Sequence, residues 1–250
     1  PFLTLLAVFF ASRLAALMAA GSFWFDEAFS AHFANMNWSA MWQYLQYEHN
    51  PLLHFAVLHE WMRWFPASDL SLRVPSLIAG LLSMVGIYTL GCKLFSRAAG
   101  WWAAFFMTAS TMMLYHQTEA RMYAFVVLFA VMCIACYSRK FFVILAKAGI
   151  QDVKRSDIWI PASAGMTIVG YTISAIALTH THITGWSLVI ALAVYQIVAW
   201  TAKAPTRREV AQWSLAYATI LALFLLWFIP VALNKIEVGG VEQGWFFSQH

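Results

Sequence analysis

PLLHFAVLHEWMRWF, residues 51–65, is the stretch on which the fold turns. It is apolar enough to be taken for a membrane helix. Yet its fifteen residues rise only about 22 Å in an α-helix, against a hydrocarbon core of about 30 Å. The run also carries His54, His59, Glu60 and Arg63. With its Trp residues it reads as an amphipathic helix lying in the membrane interface.

The rest of the chain sets the context for that reading. Of 250 residues, 62% are hydrophobic and 10% are charged, whereas an ordinary soluble domain is about 25% charged. No soluble fold of this length hides so much apolar surface, so the solvent is partly lipid. An all-α, polytopic membrane protein is expected. Seven long apolar segments stand out: 2–22, 74–94, 98–115, 120–138, 167–180, 183–200 and 210–231. Most approach the roughly 20 residues needed to cross hydrocarbon, and 167–180 is short.

The net charge of +4 matters less than where the cations lie. With 23–73 as one large outer loop, the inner side receives Lys93, Arg97, Arg139, Lys140, Lys147, Lys154, Arg155, Lys203, Arg207 and Arg208. The outer side receives only Arg63, Arg73, Arg121 and Lys235. That asymmetry obeys the positive-inside rule. Counting 51–65 as a span would invert everything after it and break the rule, so the interfacial reading is preferred. The eight histidines then fall on or near the outer face, together with Asp26, Glu27, Glu48 and Glu119. Any chemistry is expected at the outer membrane–water boundary.

Three other features bear on organisation. Cys133 and Cys136 share a helix face, but two thiols make an incomplete metal site, and buried thiols usually act as small hydrophobes. The chain opens at Pro1 inside an apolar run that contains Arg13, and it closes in a polar stretch. The opening run lacks a clear cleavage site, so a retained helix and a piece of a longer chain are expected. Residues 143–167, VILAKAGIQDVKRSDIWIPASAGMT, are richer in charge, Gly, Pro and Ser. AKAGIQ and WIPASAGMT resemble translated short interspersed repeats of bacterial genomes. An in-frame insertion in an inner loop is expected, where it costs least; an ordinary cytoplasmic loop is the plainer alternative.

The motifs that could carry chemistry lie outside. In FWFDEAFS, 23–30, Asp26 and Glu27 sit among Trp24, Phe25 and Phe29. Partial desolvation there suits a carboxylate to take a proton, and mutual repulsion pushes the two pKa values apart. EHNPLLH, 48–54, places Glu48 and His49 before Pro51, a residue suited to a first helical turn. SLRVPS, 71–76, puts Arg73 at the outer end of a span, fit for a phosphate or for simple snorkelling. In YHQTEARMYA, 115–124, Glu119, Arg121 and Tyr123 begin a span. An Arg on that side calls for an anionic partner, either Glu119 or a lipid phosphate. THTH, 179–182, offers two of the three or four ligands a metal needs.

Taken in order, the Asp-Glu pair, HNPL (49–52), RVPS (73–76) and EARMYA (119–124) resemble one family. It comprises the GT-C fold membrane glycosyltransferases related to protein O-mannosyltransferases and the lipid A aminoarabinose transferase. The match runs over residues 1–140 and more loosely through 168–250. The family usually shows two prolines where this chain has Asn50-Pro51-Leu52, and the family's C-terminal half has no counterpart here. The resemblance implies a single GT-C-like transmembrane domain over 1–250 with its catalytic loop at 23–73. It also implies inverting transfer of a hexosyl or pentosyl group from a polyprenyl-phosphate donor, without cofactor or metal. The acceptor is a lipid, glycan or protein at the outer face of a bacterial inner membrane. Nucleic acid has no part. By the resemblance Asp26 is the general base and Glu27 positions the acceptor or tunes Asp26. Arg121, with Arg73, holds the lipid phosphate, and Glu48, His49, Glu119 and Tyr123 complete the substrate site. The competing readings are a non-catalytic or transporter-like membrane protein, a metal-binding membrane protein, and an inactive remnant of the transferase.

Overall fold

The computed structural model describes residues 2–48, 50–147, 164–202 and 204–238. Among the described residues every regular element is an α-helix. In chain order these are α1 (Phe2–Ala19), α2 (Phe25–Ala34), α3 (Trp38–Leu45), α4 (Leu53–Trp64), α5 (Asp69–Leu94) and α6 (Arg97–Ala109). There follow α7 (Thr111–Gln117), α8 (Tyr123–Lys147), α9 (Ala164–Thr181), α10 (Gly185–Ala202) and α11 (Arg207–Val238). Most of the suspected insertion, 148–163, lies outside the described residues.

Among the described residues, four helices are long and apolar enough to cross a membrane: α1, α5, α10 and residues 207–234 of α11. Their outward faces carry Leu3, Val8, Leu14, Ile190, Val194, Ile197, Leu215, Leu226 and Leu233, all exposed. Such surfaces are costly in water and ordinary in lipid, consistent with a membrane protein. Among the described residues two further apolar helices are shorter, Tyr123–Ser138 and Ile168–Thr181, and the segment 98–115 is broken in two, so the expected count of about seven spans is not confirmed.

The break falls at Ser110, whose backbone leaves the helical region at ψ 117°. Its Oγ accepts from Met113 N at 3.2 Å, capping α7. The end of α6 leaves carbonyls without helical partners, and Arg13 of α1 meets them. Arg13 Nη2 donates to Met107 O at 2.9 Å and Nη1 to Thr108 O at 2.8 Å. Nε donates to Gln117 Oε1 at 3.0 Å, and the guanidinium lies 4.0 Å from the centre of the Phe9 ring. The charge in the first apolar run is therefore a structural clamp joining α1 to the broken segment. Next to it α5 and α6 approach closely: a Cβ on Gly91 would come within 2.7 Å of Gly100 Cα.

Two of the buried apolar clusters bind the later helices and the loop helices together. Cys133 and Tyr137 of α8 pack with Tyr171, Ala175 and Leu178 of α9, Val189 of α10, and Trp213 and Ile220 of α11. Phe33, Met41, Leu45 and Phe55, from α2, α3 and α4, pack on Phe224, Trp227 and Val231 of α11. The loop helices thus sit over one end of the bundle. The stretch 51–65 supplies α4, which buries His54, Phe55 and Leu58 and leaves Trp64 79% exposed. That one-sidedness is what an amphipathic helix requires.

Candidate functional site

The site forms where α2, α4 and α5 meet the turn 118–122 between α7 and α8. Glu27, in the first turn of α2, is 1% exposed, and Arg73 of α5 is 5% exposed. They form a two-pronged pair, Nε to Oε1 at 2.8 Å and Nη2 to Oε2 at 2.6 Å. Arg73 Nη1 also donates to Gly21 O at 2.9 Å, and Ala120 N donates to Glu27 Oε1 at 2.8 Å. Burial alone would raise the Glu27 carboxyl, but hydrogen bonds from Arg73 and Ala120 and the Arg73 charge hold it below its ordinary value.

This arrangement adds a structural role to the expected ones. Three of the five Arg73 N–H donors go to Glu27 and Gly21, so the residue has a framework role whatever else it contacts. Glu27 likewise serves the frame: it joins α2, α5 and the 120 turn. Adjacent in sequence, the two carboxylates are separated in environment. Asp26 keeps 36% of its side chain exposed.

Arg121 finds a partner that its own sequence stretch does not name. Its Nη2 lies 3.3 Å from Asp26 Oδ2. Nη1 donates to Asp26 O at 3.2 Å and to Ser30 Oγ at 3.4 Å. The guanidinium sits 5.9 Å from the Tyr123 ring centre, and the Tyr123 ring lies 4.5 Å from that of His116 and 5.9 Å from that of His182. Glu119 is 5% exposed, with His116 Nδ1 at 3.8 Å. Burial, aided by the charges of Glu27 and Asp26, pushes its carboxyl above the ordinary value, with Tyr115 and Arg121 opposing.

The structure therefore brings Asp26, Glu27, Arg73, Glu119, Arg121 and Tyr123 together. Glu48 lies past the end of α3, accepting from Asn50 Nδ2 at 3.2 Å. His49 lies outside the described residues. Of the THTH pair, His182 reaches Tyr123, while His180 contacts carbonyls of Ile176 and Leu223 and ties α9 to α11. Among the described residues no three His, Cys, Asp or Glu side chains gather as a metal site.

The residue that sequence reasoning missed is His54. It is 2% exposed, and its Nε2 lies 3.2 Å from Ala120 O. With Glu27 on Ala120 N and Ser76 Oγ on Arg121 O at 3.2 Å, the 120–121 backbone is held from α2, α4 and α5. The signal was available: His54 lies on the same face as Leu58, four residues on. Burial pushes its pKa down to about 3, opposed by the Ala120 contact and aided by the Arg121 charge. The neutral ring then carries its proton on Nε2.

The sign of the pH effect follows. Below about 6.5 the unfolded chain protonates this histidine while the folded one does not, until about 3. Stability falls as pH drops through that window, by about 1.4 kcal/mol per pH unit for this group. His54→Gln keeps an N–H donor and removes the titration. Its denaturation midpoint should drop less than the parent's between pH 6.5 and 5; equal slopes would contradict the assignment.

Compared with family models, curated proteins and solved structures, the chain has no match.

Proposed function

We propose that this chain is an inverting membrane glycosyltransferase of GT-C type, taking a sugar from a polyprenyl-phosphate donor at the outer face of a bacterial inner membrane. The observation that carries the reading is a half-exposed carboxylate, Asp26, beside a buried guanidinium, Arg121, at 3.3 Å. A base and a phosphate-stabilising cation at one end of an apolar bundle are the parts such a transfer needs. The motif order over 1–140 supports the same reading. Asp26 takes the proton from the acceptor hydroxyl. Arg121 stabilises the charge that develops on the leaving phosphate. Tyr123 and Glu119 line the sugar's surroundings.

The assay uses the chain in proteoliposomes with a labelled polyprenyl-phosphate sugar. Label should pass from lipid to acceptor, and Arg121→Ala should raise the donor KM about 10–100-fold, the range of a lost charge-assisted contact. Unchanged donor KM in Arg121→Ala would contradict its role. The outer location is checked by placing a single cysteine at position 46 in a Cys-free variant. It should react with a membrane-impermeant maleimide from outside, and labelling only from the cytoplasm would contradict the topology.

One observation favours a transporter-like reading instead. The break at Ser110 beside the buried Arg13 is the kind of interrupted helix that transporters use. Arg13, however, is fully engaged by Met107, Thr108, Gln117 and Ser12, as a structural clamp would be. Counterflow of a solute in the same vesicles without sugar transfer would favour the transporter.

A further inference from the structure

We propose that Asp26 is the resident anion of the Arg121 site, and that a lipid-linked phosphate binds there by displacing it, which frees the carboxylate to accept a proton. The inference rests on the transferase reading above.

Arg121 is 7% exposed, and two of its nitrogens face α2. Nη2 meets the Asp26 carboxylate, while Nη1 meets the Asp26 carbonyl and Ser30 Oγ. Its Nε is buried without a hydrogen bond among the described residues. The guanidinium thus has donor capacity beyond what α2 uses, and among the described residues the carboxylate within ion-pair reach of it is Asp26. A phosphate offers more acceptor oxygens than a carboxylate and fits the guanidinium fork.

The geometry of inversion fits the exchange. The acceptor oxygen attacks the anomeric carbon from the face opposite the leaving phosphate. The base stands on one side of that carbon and the phosphate's cation on the other. While Asp26 Oδ2 holds Arg121 Nη2 at 3.3 Å, the carboxylate is occupied as the counter-ion of that cation, and a phosphate that takes the same donor releases it toward the acceptor. Asp26 is the half that moves: its side chain is 36% exposed against 9% for Arg121.

The step balances. The acceptor oxygen forms a bond to the anomeric carbon and gives its proton to the freed Asp26 carboxylate. The bond from that carbon to the phosphate oxygen breaks, and its electron pair stays on the phosphate facing Arg121. The proton on Asp26 then passes to water.

The test uses the full chain in nanodiscs and three ligands: polyprenyl monophosphate, phosphatidic acid and inorganic phosphate. Removing the internal competitor should tighten binding. Asp26→Asn, and equally Asp26→Ala, should bind polyprenyl monophosphate roughly three- to tenfold more tightly, the scale of a partly exposed charge pair. Arg121→Ala should bind it more weakly than the parent. Adding polyprenyl monophosphate to the parent should raise carbodiimide modification of Asp26, read by mass spectrometry. Equal affinity in parent and Asp26 variants, with Arg121→Ala weaker, would overturn displacement and leave the transferase reading standing. Unchanged carbodiimide labelling on saturation would do the same. No polyprenyl monophosphate binding by the folded parent would overturn both. Tightening for inorganic phosphate or phosphatidic acid alone would overturn the polyprenyl-linked source.

Discussion

Asp26→Asn should cut sugar transfer by about 10²–10⁴-fold, the usual worth of a general base. The substitution removes the proton-accepting oxygen at nearly constant size. It leaves Arg121 in place and relieves it of a competing anion, so the donor should bind at least as tightly as in the parent. The loss therefore belongs in kcat and not in KM, which separates lost chemistry from lost binding. Arg121→Ala shows the opposite pattern, with donor KM rising first. Near-parental turnover in Asp26→Asn would remove this residue from the mechanism.

Glu27→Ala should have the largest effect on stability. The side chain it removes is 1% exposed and holds Arg73, itself 5% exposed. Breaking a buried pair from one side leaves an uncompensated charge and costs about 3–5 kcal/mol. Ala120 N also loses its acceptor. Glu27→Leu combined with Arg73→Leu should recover much of that loss, because no lone charge then remains. Recovery stays partial, since the buried Ala120 N loses its acceptor. Denaturation in detergent, read by circular dichroism, measures both variants. The pH dependence has a defined sign. The Glu27 carboxyl is held below the ordinary value of a glutamate, so its contribution is present above that ordinary value and lost as pH falls through the folded one. A Glu27→Ala chain as stable as the parent would mean the pair contributes nothing.

The two adjacent carboxylates show what the sequence made legible and what it hid. The apolar helical build was legible, because hydrophobic runs depend on composition and order alone. The amphipathic character of 51–65 was legible for the same reason: Trp, His and Arg interrupt an apolar face at helical spacing. Division of labour was not. Glu27 is buried because Arg73 and the 120 turn, which lie 46 and 93 positions further on, close around it. No local pattern encodes contacts of that separation. The partner of Arg121 was hidden likewise: Glu119 is near in sequence, yet the turn aims Arg121 at α2. The break at Ser110 was missed because TASTMM reads as a continuing apolar run. Its open carbonyls are affordable only because Arg13 arrives from another helix.

The most direct test of the central claim is the anomeric configuration of the product formed from a polyprenyl-phosphate sugar by the chain in proteoliposomes, read by nuclear magnetic resonance. The account predicts transfer to the acceptor with the configuration inverted relative to the donor, and its near-disappearance in Asp26→Asn. A retained configuration, or donor left intact by folded protein, would contradict it.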